Sequence, residues 1–161
     1  MSSEIIVKVA DLRAGSGQEV LLTIGLGSCV AIVLYDATAH VGGMAHVLLP
    51  SPALSRKGDN PAKFPQTAVP RLVELMGQQG ASVRRLAARL VGGASMFSGL
   101  GAPGTIQMGE RNVVASRQAL HQQGIAIVAE ATGGDFGRTV RLWAADGRLE
   151  ISSVAHGIQT L

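Results

Sequence analysis

The segment from Cys29 to Tyr35 is an unbroken apolar run. It is too short to cross a bilayer as a helix, which requires roughly 20 residues. A strand with one face in water would alternate apolar and polar side chains, so this run predicts a β-strand covered on both faces. A chain that buries a strand in this way must supply a layer of structure on each side of it.

The rest of the chain supplies short elements for those layers. Turn-forming residues separate them, notably at 14–17, at 36–40 and at Asp146-Gly147, a strong hairpin signal. Gly124 is well placed as a helix C-terminal cap, whereas Pro70 implies that its helix starts late or bends. The patterns predict strands at 4–9, 18–24, 29–35, 41–49, 86–91, 125–131, 139–144 and 148–154, and helices at 65–79 and 110–123.

These elements define the predicted fold class. Seven or eight strands, mostly in hairpins and interrupted by two main helices, predict a layered α/β sandwich with a mostly antiparallel, mixed sheet. Strands and helices alternate too sparsely for a doubly wound parallel sheet. No linker or repeat divides the sequence, so we expect residues 1–161 to form one domain.

Composition excludes several classes of function. With 47% hydrophobic and 16% charged residues, the chain is not a disordered tail. A net charge of +3 and only 3% aromatic residues make nucleic-acid binding a poor interpretation. The N-terminus lacks the pattern of a signal peptide, so we expect a cytoplasmic protein without membrane insertion.

The single cysteine further limits the chemistry. It rules out an intrachain disulfide and a cysteine-rich metal site, and in a reducing cytoplasm it stays free to react. His40, His121 and His156 have no companion ligands at metal-binding spacing. The sequence therefore predicts neither a metal nor a cofactor.

Candidate catalytic residues lie in two glycine-containing segments. Gly25 and Gly27 allow a sharp turn of the backbone just before Cys29, which would place the thiol at the beginning of a strand. Backbone N–H groups freed by that turn would lower the pKa of the thiol and hold an oxyanion. His46, in the following strand, is the candidate base.

The predicted hairpin brings this cysteine and histidine together. If Leu34 faces Val41 across the turn, Cys29 faces His46, because residue numbers in an antiparallel pair have a constant sum. Directly opposed side chains have Cβ atoms ~5 Å apart, as a Cys–His pair requires. A one-residue slip would separate them, and a bulge at Gly42-Gly43 would also change the register.

Each of these residues also has a structural interpretation. A lone cysteine in an apolar strand is usually a small core residue, and a histidine in a strand is usually not a catalytic base. Thr23 stands out only if the imidazole needs an orienting partner, since threonine is common in strands. From the residues alone, both interpretations stay open.

The order of motifs resembles one family of proteins. Thr-Ile-Gly-Leu-Gly-Ser-Cys-Val-Ala, followed by Gly-Gly-Met-Ala-His-Val-Leu-Leu-Pro, closely resembles the CheD chemoreceptor glutamine deamidases. The likeness covers nearly the whole chain in order. Its segments are 23–31, 42–50, 63–64, 67–70, 92–94, 106, 109–112, 128–130 and 133–138.

The resemblance implies a fold, a reaction and partners. The family fold is a layered α/β sandwich, and the family triad of cysteine, histidine and threonine falls on Cys29, His46 and Thr23. It implies a protein-glutamine deamidase that converts receptor glutamine to glutamate and ammonia. Because formation of a thioester does not depend on which group leaves, we also expect receptor glutamate methyl esters as substrates. The implied partners are the cytoplasmic region of methyl-accepting chemotaxis receptors and a CheC-type phosphatase.

Two other classes of function compete with this one. The first is a non-catalytic chemotaxis adaptor that binds receptors and a CheC-type phosphatase, in which Cys29 and His46 are merely retained. The second is a small-molecule amidase, although nothing in the sequence suggests a deep pocket for a free metabolite.

Three remaining motifs have open interpretations. The loop 133–138 either approaches a substrate, with Arg138 on an acidic receptor surface, or is a hairpin turn with a solvated arginine. Glu110 suits the dipole of a helix N-terminus. Met96, Phe97 and Leu100 lie in a glycine-rich loop and are candidates for an exposed patch that binds a partner.

Overall fold

The structure, a computed structural model, describes residues 3–55, 60–95 and 107–161. Within them the chain forms two helices, α1 (Pro65–Gln78) and α2 (Met108–Gln122), and ten strands. The strands are β1 (Ser3–Ile6), β2 (Leu12–Ser16), β3 (Glu19–Leu26), β4 (Val30–Asp36), β5 (Val41–Val47), β6 (Ala87–Gly92), β7 (Ala126–Thr132), β8 (Arg138–Trp143), β9 (Leu149–Ser153) and β10 (Gly157–Thr160).

The strands form two five-stranded sheets. Sheet A has the order β1-β3-β8-β9-β10, and sheet B has the order β2-β5-β4-β6-β7. In the described part of the chain, β1 with β3 and β6 with β7 are parallel, and the other pairs are antiparallel. The predicted mixed, mostly antiparallel α/β sandwich is confirmed.

Strand β4 is the central element of the layers. Val30, Ile32 and Leu34 pack with α1 and α2 on one face of sheet B. Ala31 and Val33 point to the other face and pack against residues of sheet A. All seven residues of β4 are buried, so the predicted strand covered on both faces is confirmed.

The glycine pair in β5 allows these layers to approach closely. A Cβ on Gly42 would lie 2.7 Å from Leu142 of sheet A, and one on Gly43 would lie 2.5 Å from the sulfur of Met76 in α1. The pairing of β4 with β5 shows no register shift. The glycines therefore accommodate packing on both faces and do not form a bulge.

Two strands were not predicted, and α1 runs through its internal proline. The Ala14-Gly15-Ser16 segment belongs to β2, where Ala14 and Gly15 pair with the glycines of β5. β10 is short and exposed, with no pattern that predicts it. α1 begins at Pro65 as predicted and continues through Pro70, so the alternative of a late start is wrong. Neither α1 nor α2 has the length and apolarity needed to span a membrane.

Candidate active site

A histidine and a threonine form a buried pair between the two sheets. His46 in β5 and Thr23 in β3 are both fully buried. The Thr23 Oγ1 lies 2.7 Å from His46 Nδ1 and 2.6 Å from the carbonyl oxygen of Val7, to which it donates. At the level of the sequence, only the family resemblance linked these two residues.

The hydrogen bonds of Thr23 fix the tautomer of the imidazole. A hydroxyl carries one proton, and here that proton goes to the Val7 carbonyl. The Thr23 oxygen must therefore accept a hydrogen bond from His46 Nδ1–H. The lone pair of the neutral ring then lies on Nε2, which is buried and has no hydrogen-bond partner. This is the state of an imidazole that can accept a proton.

Cys29 lies on the same side of sheet B as this imidazole. It directly precedes β4 and belongs to the apolar cluster between the sheets, with Ala31 and Val33. His46 is directly opposite Ala31, so Cys29 and His46 are diagonal neighbours near the end of the β4–β5 pair. Diagonal neighbours are farther apart than opposed ones but within reach of a ring side chain.

The predicted register is therefore wrong by two residues. Asp36 pairs with Val41, which leaves a loop of 37–40 instead of the longer one expected. The Asp36 carboxylate accepts hydrogen bonds from the N–H groups of Thr38 and Ala39, which stabilises the tighter turn. Because the shift is an even number, Cys29 and His46 keep their common face.

The turn that carries Cys29 is shaped by a bulge on one side and a backbone hydrogen bond on the other. The register of β3 and β8 shifts between Thr23 and Leu26, and Gly25 there has a φ of 77°. This bulge, next to Thr23, turns the chain toward Cys29 as the glycine pattern predicted. On the other side, Gly93 N–H donates to the Cys29 carbonyl at 2.8 Å.

Burial sets the protonation states of the thiol and the imidazole. It raises the pKa of the Cys29 thiol above its ordinary value of 9.0, opposed in part by the Cys29 backbone N–H. It lowers the pKa of His46 from 6.5 to about 4. The expectation of a depressed thiol pKa is wrong, because burial between the sheets disfavours both charged forms. The pair is neutral at neutral pH.

Alkylation kinetics should reveal this neutral pair. We expect Cys29 to react with iodoacetamide more slowly than a free thiol near neutral pH, because less of it is thiolate. The rate should rise with pH and reach half its maximum only above 9.0. The unfolded protein, which exposes the same thiol, is the control. Faster reaction of the folded protein near neutral pH would contradict the assigned protonation states.

The other predicted residues have mixed outcomes. Arg138 is only 5% exposed, donates to the Gly133 carbonyl at 2.9 Å and stacks on Phe136, so a solvated arginine is wrong. Its contact with an acidic receptor surface stays a prediction. Glu110 lies in the first turn of α2 as expected. Met96, Phe97 and Leu100 lie outside the described residues.

Two contributors to the site were missed at the sequence level. The Val7 carbonyl is a backbone group, so no residue type signals it. Asn112 was noted within a motif but given no role, although it is fully buried and contacts the Cys29 turn. Among the described residues, no group of three His, Cys, Asp or Glu side chains is placed to hold a metal ion.

The fold and the site describe a class of α/β sandwich proteins with a lone buried cysteine near a histidine–threonine pair. The family model described as CheD chemotactic sensory transduction matches residues 48–153 of the chain. Relatives match over nearly the full length, including the segments of Thr23, Cys29 and His46. The chain belongs to the CheD family.

The curated relatives carry a common name. One from Caldanaerobacter subterraneus subsp. tengcongensis, "Probable chemoreceptor glutamine deamidase CheD", is 43% identical over 99% of both chains. Another, "Probable chemoreceptor glutamine deamidase CheD 2" from Geobacter metallireducens, is 42% identical over 100% of both chains. The relative from Clostridium novyi is 40% identical over 98% of both chains.

A solved structure shares the fold at low identity. A Neisseria meningitidis protein of family DUF152 is 10% identical, with a TM-score of 0.51. The match covers 81% of this chain and 64% of that one, so this chain spans less than two thirds of that protein.

Proposed function

We propose that this protein is a chemoreceptor glutamine deamidase with Cys29 as nucleophile, His46 as base and Thr23 as the residue that orients the imidazole. One observation carries the proposal. The Thr23 hydroxyl, held by the Val7 carbonyl, leaves the lone pair on His46 Nε2, in the inter-sheet space that also contains Cys29. The names of the full-length relatives support receptor glutamine as the substrate.

The first half of the reaction forms a thioester. The Cys29 sulfur attacks the side-chain carbonyl carbon of a receptor glutamine while its proton passes to His46 Nε2. The Cys29 backbone N–H, which already favours negative charge on its own sulfur, donates to the oxyanion. The imidazolium then gives the proton to the departing nitrogen, the C–N bond breaks and ammonia leaves.

The second half regenerates the thiol. A water molecule loses a proton to His46 Nε2 and attacks the thioester carbonyl. The C–S bond then breaks, and the imidazolium returns the proton to the sulfur, which leaves glutamate and the Cys29 thiol. Burial disfavours imidazolium, and the neutral Thr23 hydroxyl stabilises it less than a carboxylate would. We therefore expect a slow enzyme, which suits the modification of a receptor in the cytoplasm.

The same mechanism extends to receptor glutamate methyl esters. The ester carbonyl would give the same thioester, with methanol leaving in place of ammonia. We propose ester hydrolysis as a second reaction of the site, to be measured as methanol release from a methylated receptor fragment. The CheC-type phosphatase partner stays a prediction from the resemblance.

Ammonia release separates the proposed function from its alternatives. Incubation with a cytoplasmic receptor fragment should release ammonia, whereas incubation with free glutamine should not. Release from free glutamine alone would indicate a small-molecule amidase. Binding of the receptor fragment without release would indicate the adaptor.

Thr23→Val should give an intermediate loss of activity. Valine keeps the β-branched shape but leaves His46 Nδ1–H and the Val7 carbonyl without their partner. We expect kcat to fall ~10- to 100-fold, as for other residues that orient a catalytic group. The two unpaired buried groups should cost about 2 kcal/mol, a decrease of roughly 5 °C in Tm.

Thr23→Ser is the matched control because it keeps the hydroxyl, and its kcat should stay close to that of the wild type. Full activity of Thr23→Val would show that the hydroxyl does not orient His46. A loss as complete as that of Cys29→Ala would instead indicate direct contact between Thr23 and the reacting amide.

A further inference from the structure

Asn112 in α2 holds two backbone carbonyls with one amide group. Its side chain is fully buried, and Nδ2 donates to the Ser28 carbonyl at 2.9 Å and to the Leu48 carbonyl at 3.1 Å. Both hydrogens of the amide are thereby used. The acceptor, Oδ1, is buried and has no partner.

The two carbonyls belong to the segments that carry the proposed nucleophile and base. Ser28 directly precedes Cys29, and Leu48 lies two residues after His46. The paired residues of β4 and β5 end at Val30 and Val47. Asn112 therefore bridges the two segments just beyond the end of the ladder, where inter-strand hydrogen bonds no longer fix their separation.

Helix α2 is held firmly against the Cys29 turn. A Cβ on Gly109 would lie 2.4 Å from the Ala94 carbonyl oxygen, so the first turn of α2 packs directly on the backbone of Ala94. The N–H of Ala94 in turn donates to the Gly27 carbonyl at 2.8 Å. One turn along α2, the Ser116 hydroxyl donates to the backbone carbonyl of Asn112 at 2.7 Å.

We propose that Asn112 is a positioning residue that sets the distance between the Cys29 sulfur and His46 Nε2. A leucine would fill a similar volume without an unpaired Oδ1 but would leave the Ser28 and Leu48 carbonyls without their donor, so the two N–H donors explain the presence of an amide. The inference rests on the proposed function for its effect on turnover, but not for its effect on the reactivity of Cys29.

Asn112→Leu tests the proposal, with Ser116→Ala as the matched control. Ser116 is equally buried on the same helix but donates only to the backbone of α2. In Asn112→Leu, kcat on a receptor fragment should fall ~10- to 100-fold with KM nearly unchanged. Iodoacetamide should alkylate Cys29 faster, because the turn is released. Ser116→Ala should lower Tm but keep both rates.

Several outcomes would overturn the positioning role. One is an Asn112→Leu protein with the wild-type kcat and the wild-type rate of alkylation. Another is a change in kcat and alkylation rate that is the same in Asn112→Leu and Ser116→Ala and is proportional to the loss of Tm. Failure of the wild-type protein to release ammonia would contradict the proposed function alone, because alkylation still reports on the turn.

Two further measurements cover a leucine variant that does not fold. Asn112→Asp keeps the shape of the side chain but cannot donate two hydrogen bonds, and it should show the same losses. In the wild type, both side-chain amide protons of Asn112 should exchange far more slowly with solvent than those of exposed Gln123. Equally fast exchange would overturn the bridge.

Discussion

Cys29→Ala is expected to abolish deamidation of receptor glutamine while preserving the fold. The substitution removes the only protein atom proposed to bond to the substrate carbon, so kcat should fall by roughly 10⁵-fold or more. Cys29 lies at the edge of the inter-sheet cluster, and loss of one sulfur there should cost only about 1 kcal/mol. Ammonia release from a receptor fragment measures the effect, and circular dichroism checks the fold.

Receptor binding provides the control for this variant. Cys29→Ala should still bind the receptor fragment, because the thiol contributes little to the binding surface at 9% exposure. Turnover at the wild-type rate by a folded Cys29→Ala protein would end the enzyme hypothesis and favour the adaptor.

His46→Gln should have the second largest effect. Glutamine can still donate to the Thr23 oxygen and occupies much of the same buried volume, but its amide cannot take the thiol proton. We expect kcat to fall by about 10²- to 10⁴-fold, the usual contribution of a general base. The measurement is initial-rate kinetics on the same receptor fragment.

Thiol reactivity distinguishes loss of the base from collapse of the site. If the core stays intact, Cys29 in His46→Gln should remain as buried as in the wild type, and its alkylation near neutral pH should stay slow. Activity within about tenfold of the wild type would mean that another group takes the proton.

The fold was largely predictable where burial leaves a clear pattern in the sequence. The apolar run of β4 predicted a strand covered on both faces, and the structure confirms it with α1 and α2 on one side and sheet A on the other. β2 was missed because its Ala14-Gly15-Ser16 segment has the composition of a turn. Ala14 and Gly15 pair with the glycines of β5, a relation that only the tertiary structure reveals.

The candidate site was predictable in its members but not in its geometry. The glycine-flanked cysteine and the histidine of the next strand were identified, and their common face was preserved. The register was wrong because the Asp36 carboxylate stabilises a tighter turn than residue spacing suggested. The predicted direction of the thiol pKa shift was also wrong, because the burial of Cys29 depends on how the two sheets pack together.

The bridge made by Asn112 was beyond sequence reasoning for a related reason. Its two acceptors lie 84 and 64 residues earlier in the chain. No local pattern links an amide in a helix to two carbonyls at such distances. The resemblance included Asn112 in a shared motif, but only the position of α2 against the Cys29 turn gives that residue a role.

Mass spectrometry of a receptor fragment tests the central claim most directly. The fragment is incubated with the protein in water enriched in the heavy isotope of oxygen, digested and compared with a sample treated with Cys29→Ala. Hydrolysis through a Cys29 thioester predicts that particular glutamines gain about three daltons each, rather than about one in ordinary water. Unchanged glutamines, or the same gain with Cys29→Ala, would contradict the proposed deamidase.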